Sequence, residues 1–570
     1  MPAIVVLVLV FAAFFLAYRF YSAYISANTY GLDENFITPA HEFEDGVDYV
    51  PTNKHILFGH HFTSVAGAAP IVGPAIAVFW GWLPALAWVV LGTMFAAGVH
   101  DMGSIVVSAR NKAQSIGALT TTVINARSRN LFLFIIFFLL VLVNAVFAVV
   151  IGTLFVANPG AVIPIFLEIP LAIGLGRYIY KTRSSALVPS IIAVVLLYLS
   201  ILVGRAYPIE VDGLAESLGI GARTFWIILL FAYTWFASKI PVWVLLQPRD
   251  YLNSHQLFIA LGVIFLGVLV GMDRIVAPAI NTDVPAGSPA WFPFLFITIA
   301  CGAISGFHSL VASGTTSKQL DKETDARYVG YMGALGEGSL ATASILAATA
   351  GVASVGVWRE NYADFGTAAG GALGSFVGGV AAFANNLGVP LDIGAIFASV
   401  VVISFAATTM DTGVRLQRYI VQEIGQIMNV PVLARNLTVA TSIAVGIPLV
   451  FALLPGGGEQ GYTFGRLWQL FGTTNQLTAG LALSVIAVYV LMRRLNPIPA
   501  LVPLVFLLTM TSWALLKNLQ TFVKDGDWIL APLDAAIFGL AIWLIIEAVL
   551  AFRRVQRGNL APVTPEDARV

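Results

Sequence analysis

Ile56-Leu-Phe-Gly-His-His-Phe-Thr-Ser-Val-Ala-Gly-Ala-Ala-Pro-Ile-Val-Gly-Pro74 opens a span over 56–80 that is apolar enough to lie in a bilayer, yet Gly67, Pro70, Gly73 and Pro74 fall near mid-membrane. Proline lacks a backbone donor and clashes with the preceding turn, so a helix unwinds there. Freed backbone groups at membrane depth are tolerated only against protein or a cavity. A new helix starting after Pro70 would aim amide donors and the positive end of its dipole at the membrane centre, which suits a carboxylate. Transporters build solute sites this way; a kinked packing helix is the plainer alternative.

The rest of the chain sets this stretch in a membrane. Of 570 residues, 58% are hydrophobic and 11% charged, and the mean hydropathy is +0.86. A soluble chain this long needs more polar surface. Apolar runs of about 20 residues recur from end to end, each long enough for a hydrocarbon core of roughly 30 Å. The alternating pattern of barrel strands is absent, so the fold class is an all-α polytopic membrane protein of about 15 transmembrane helices. Zero formal net charge without long basic runs argues against nucleic acid as a partner. The single cysteine, Cys301, excludes an internal disulfide and a CxxC metal site. The first segment, residues 1–24, has no basic start or cleavage site and reads as a retained helix.

Basic residues set the orientation. If the Gly-rich stretch 366–388 does not cross but forms a re-entrant segment, one side gathers Arg110, Lys112, Arg127, Arg129, Arg177, Lys181, Arg183, Arg249, Lys318, Lys322, Arg327, Arg415, Arg418, Arg435, Arg493, Arg494, Arg553, Arg554 and Arg557. The positive-inside rule then puts the N-terminus outside and the C-terminus in the cytoplasm. No phosphate-binding loop occurs, which argues against a nucleotide-driven pump.

The seventh span contains Ser238-Lys-Ile-Pro241, where an intramembrane lysine costs on the order of 2.5–3.5 kcal/mol. Lys239 is therefore a candidate carboxylate or proton ligand, the alternative being a snorkelling or structurally paired side chain. Spans two and seven are five apart and oppositely directed, the spacing of a five-plus-five inverted repeat whose first helices are both interrupted. On this reading residues 1–55 form a first helix and cytoplasmic loop, residues 56–411 the ten-helix core, and residues 412–570 further helices with a short tail. The ninth span ends in Ser309, Ser313, Thr315 and Thr316, whose hydroxyls could hold Na⁺ with carbonyls of span two, or simply pack helices. His100 and Asp101 form an intramembrane ionisable pair suited to proton coupling. His60, His61 and His308, with Gly67, Ala68, Pro70 and Lys239, are the candidate solute contacts. Glu337, Asp411 and Asn475-Gln476 are weaker polar candidates. No resident metal or other cofactor is expected, because the histidine spacing matches no zinc motif.

The stretches Asp45–Lys54, Phe58-Gly-His-His-Phe62, Ala96-Ala-Gly-Val-His-Asp101, Pro241–Leu252, Gly306–Gln319 and Trp468–Leu477 together resemble the carbon starvation protein A family. The resemblance implies a bacterial inner-membrane importer of the amino acid–polyamine–organocation superfamily with a LeuT-like core. It implies uptake of pyruvate or short peptides on an H⁺ or Na⁺ gradient, and a small cytoplasmic companion protein. The chain departs from the family's pattern at His55, Thr63-Ser64 and Ala69, and the added hydroxyls bear on ligand choice. The expected function is thus an ion-coupled secondary transporter of a small carboxylate rather than an enzyme. A membrane-embedded metal-dependent enzyme and an uncoupled sensor or channel are the competing classes.

Overall fold

Backbone groups surrounded by lipid must find their partners within the chain, and a helix satisfies them all locally. The computed structural model describes residues 1–46, 48–124, 126–182, 186–241, 243–454 and 462–558; Arg183 and the tail 559–570 lie outside them. Among the described residues there is no sheet, only two isolated bridges. In chain order the main helices are α1 (Ala3–Tyr30), α2 (Lys54–Val65), α3 (Ala69–Trp80), α4 (Trp82–Ala109), α5 (Ala126–Ala157) and α6 (Val162–Thr182). Next come α7 (Leu187–Ala206), α8 (Ala222–Ala237), α9 (Leu246–Gly271), α10 (Trp291–Thr298), α11 (Gly306–Gly314) and α12 (Arg327–Ala350). The last are α13 (Phe365–Asn386), α14 (Leu391–Ile427), α15 (Leu437–Ala452), α16 (Tyr462–Met492), α17 (Ile498–Lys524) and α18 (Leu530–Gln556).

Eleven of the described helices are long and apolar enough to cross a membrane, or thirteen if each sharply bent pair is one span. The long helices α14 and α16 fill the interior, whereas α1, α7 and α18 turn most of their side chains outward at the rim.

The helix expected to break does so. α2 and α3 meet at 52° across Ala66–Ala68, with Pro70 in the first turn of α3. A second break, between α10 and α11, spans Ile299–Ser305. The two breaks touch. A Cβ on Gly73 would stand 2.4 Å from the Thr298 carbonyl oxygen, and one on Gly302 would lie 2.6 Å from Ala341 Cβ and 3.5 Å from Pro70 Cβ. Gly302 also has φ +91°, a conformation that side chains of L residues rarely adopt.

This corrects the pairing expected from spans two and seven. The chain does leave helix after Ala237 and resumes at Leu246, but that gap is closed by Arg415 and Arg418 of α14. Arg415 donates to the carbonyls of Ala237 and Ile240, and Arg418 to that of Ser238. Proline placement alone could not distinguish a helix end capped by arginine from one facing a solute.

The Gly-rich segment is also corrected: α13 is one uninterrupted helix, not a folded-back pair of short segments. Its first residue, Phe365, meets Phe79 edge-to-face at 5.6 Å and the tilted Trp80 ring at 5.4 Å. Its last, Asn386, donates to Gly267 O and to Asp273 at 2.7 Å. The turn at Phe79–Gly81 is itself bonded to Pro278–Asn281. Both ends of α13 therefore abut the loop that connects α9 to α10, on the same face as Met1, whose carbonyl accepts from Ile275 N.

Candidate functional site

Unwinding seven residues inside the protein strands several carbonyls, and side chains from two neighbouring helices, α4 and α16, satisfy them. Trp468 Nε1 donates to Thr298 O at 3.0 Å, Trp88 Nε1 to Ile299 O at 3.2 Å, and Thr93 Oγ1 to Gly302 O at 2.9 Å. Gln476 donates to Phe296 O, and Asn475 Nδ2 reaches Ala300 O at 3.5 Å. The Asn475 carbonyl oxygen accepts from Phe307 N at 3.1 Å, capping the start of α11. On the other broken helix, Ser344 of α12 donates to Ile71 O at 2.5 Å. The breaks are thus held open by dedicated donors, so the shape persists without a ligand.

Helix α12 brings the two breaks together through small residues. Gly333 admits the His61 ring, Gly336 the Phe62 ring, and Ala341 lies against Gly302. Between these sits Glu337, fully buried.

Glu337 ends a chain of ionisable groups with no exposed member. His100 Nδ1 lies 2.7 Å from Asp101 Oδ1, and His308 Nδ1 lies 2.9 Å from Asp101 Oδ2. With Asp101 ionised, both imidazoles donate to it. His308 Nε2 lies 3.3 Å from Glu337 Oε1. That contact requires one proton between them: either His308 is an imidazolium facing a carboxylate, or neutral His308 faces a carboxylic acid. His100 Nε2 and His61 Nε2 are buried without a hydrogen-bond partner. Such an arrangement can take up, hold and pass on a proton.

The other expected residues divide. His61 is buried and its Nδ1 lies 2.8 Å from Thr316 Oγ1, while the neighbouring His60 is half-buried on α2. Gly67 packs against Thr409 and Phe147, Ala68 caps α3, and Pro70 touches the second break. Three of the four hydroxyls expected to hold Na⁺ donate within their own helix, and the fourth, Thr316, lies against His61. Ser309 donates to Gly306 O, Ser313 to Ser309 O and Thr315 to Val311 O, as serine and threonine in membrane helices often do. Lys239 is not brought to the site: its Nζ sits 3.2 Å from the Trp235 ring centre and 3.4 Å from Thr438 Oγ1. A lysine near a helix end finds an aromatic face more readily than the membrane centre. Asp411 pairs with Arg249 at 2.7 Å rather than with Arg415 or Arg418. Among the described residues no group of three or more His, Cys, Asp or Glu side chains is arranged to hold a metal ion.

Both breaks and the whole His100–Glu337 chain fall inside residues 2–355, which with 359–514 match the family model for carbon starvation protein CstA. The chain belongs to the CstA family. A CstA relative from Campylobacter jejuni, described as a peptide transporter, is 34% identical, covering 92% of this chain and 81% of its own. The pyruvate/proton symporter BtsT of Escherichia coli is 31% identical over 88% of this chain and 80% of its own. A manganese transporter from Eremococcus coleocola aligns in structure at 13% identity with a TM-score of 0.47, covering 89% of this chain and 99% of that one. Like its CstA relatives, this chain is a multi-pass membrane transporter.

Proposed function

We propose that this CstA family member is a proton-coupled symporter that carries a small carboxylate, pyruvate or a short peptide, into a bacterial cell across the inner membrane. The observation that supports it is the meeting of two helix breaks at Pro70 and Gly302 beside the Asp101–His308–Glu337 proton cluster. The N-terminus of α3, and that of α11 where Asn475 leaves it free, offer positive dipole ends to the solute's carboxylate. His60 and His61, on the α2 side of the break, flank the solute. A proton shared by His308 and Glu337 changes the charge next to that solute, so the loaded and empty forms favour different packings of α11 against α12. The similarity to BtsT of Escherichia coli, a pyruvate/proton symporter, favours H⁺ over Na⁺ as the coupling ion.

Packing supports a repeat that begins at α2/α3 and again at α10/α11. In this reading α4, α5, α8 and α9 correspond to α12, α14, α15 and α16. The short helices α8 and α15 have 16 residues each, and the long helices α5 and α14 lie against each other. The α6–α7 hairpin and α13 are then insertions, and the core runs from Lys54 to Met492. With α13 lying along one face, the chain crosses fifteen times, N-terminus outside and C-terminus inside.

Uptake of labelled pyruvate and dipeptides into proteoliposomes, with imposed pH or Na⁺ gradients, tests the reading. Accumulation driven by inward acid flux supports it; uptake indifferent to the pH gradient overturns it.

A further inference from the structure

A second ionisable cluster lies away from the helix breaks, where α6, α8, α9 and α14 meet. Arg249 of α9 bridges Glu168 of α6 at 2.9 Å and Asp411 of α14 at 2.7 Å. Tyr233 of α8 donates to Asp411 at 2.9 Å, and Ser404 of α14 donates to the second oxygen of Glu168 at 2.6 Å. On α7 the buried hydroxyl of Tyr198 has no hydrogen-bond partner. All of these groups are buried or nearly so, and none serves the solute site described above.

The next residue along α9 is Asp250, which is 6% exposed and has a buried Oδ1 with no hydrogen-bond partner. Counting charges shows what it must do. Among the described residues one cation lies within ion-pair distance of these carboxylates: Arg249, shared by Glu168 and Asp411, whereas Arg415, one turn beyond Asp411, is turned to the Ala237 and Ile240 carbonyls. Glu168 and Asp411 already take both of its arms. Among the described residues Asp250 is a third carboxyl without an ion pair, and His255, the nearby imidazole on α9, is turned to the Tyr251 carbonyl. An unpaired carboxylate in a membrane interior is costly, and the cheapest way to remove the charge is to bind a proton.

We propose that Asp250 is a proton-binding site, separate from the Asp101–His308–Glu337 cluster, that is loaded at neutral pH and discharged during the transport cycle. Discharge places a third negative charge beside Glu168 and Asp411, which drives the start of α9 away from α14. Because α9 also packs on α2, the step reaches the helix that carries His60 and His61. This role in the cycle rests on the symport reading; the binding of the proton does not.

The test uses the full chain reconstituted in lipid, as wild type and as Asp250→Asn, with Asp250→Ser as a second variant should the first fail to fold. Infrared spectra at neutral pH should show a protonated-carboxyl carbonyl band in wild type that is reduced in the variant. The variant, locked in the neutral form, should lose the decline of uptake toward alkaline pH. Identical carboxyl bands in wild type and variant overturn the proton site. A reduced band with an unchanged pH profile overturns its role in the cycle. Wild-type uptake indifferent to a pH gradient would sink the symport reading instead, while leaving the band in place.

Discussion

Replacing Gly302 by alanine probes the geometry on which the site depends. The new Cβ would stand 2.6 Å from Ala341 Cβ, a methyl fixed on the rigid α12. Overpacking of this kind costs about 1–3 kcal/mol. The backbone, at φ +91°, adds about 1–2 kcal/mol for any residue with a side chain. Together these displace the second break from Pro70 at a cost of roughly 2–5 kcal/mol, a large share of a typical folding free energy. Gly302→Ala should lower the temperature at which detergent-solubilised protein loses its monodisperse chromatographic peak, and should reduce uptake more than tenfold. Adding Ala341→Gly removes the steric part but not the backbone part, so the double variant should recover about half of the loss. A Gly302→Ala protein that transports and melts like wild type would refute the contact between the two breaks.

Asp101→Asn keeps the size of the side chain but removes the charge between two histidines; it should abolish accumulation against a gradient while leaving solute exchange measurable, checked by paired uptake and counterflow assays. Lys239→Ala should leave carboxylate uptake within twofold of wild type, because it removes only an exposed cation–π contact with Trp235, about 0.5–1 kcal/mol, and a long hydrogen bond to Thr438, both away from the helix breaks. Arg249→Met strands the buried carboxylates Glu168 and Asp411 and should destabilise the protein by about 3–5 kcal/mol, read as loss of folded material after solubilisation. Arg249→Lys should not restore it, since one ammonium replaces a planar fork that reaches two carboxylates.

The part of the fold legible in the sequence was the part governed by local chemistry. Pro70 breaks its helix wherever it is packed, and the apolar runs must be helices in lipid. His100 and Asp101 stood out because ionisable groups in a span demand partners, and they found each other and His308. The second break escaped notice because it is made by Gly302 and flanking small residues, with no proline to announce it, and is stabilised by Trp88, Thr93, Trp468 and Asn475 from distant segments. Lys239 misled for the opposite reason. Its proline neighbour does mark a gap in the helix, but Arg415 and Arg418, some 175 residues further along, close that gap. Glu168 carried a usable signal, a carboxyl within a hydrophobic span, and its place beside Arg249 could have been sought from that alone.

The most direct measurement is an experimental density map of the reconstituted protein with saturating pyruvate or dipeptide at acid pH. Solute density enclosed by Ala66–Ala68 and by Ile299–Ser305, with both stretches unwound, is the expected result. A continuous helix through either stretch, or solute bound beside Lys239 with the space between the breaks filled by side chains, would contradict it.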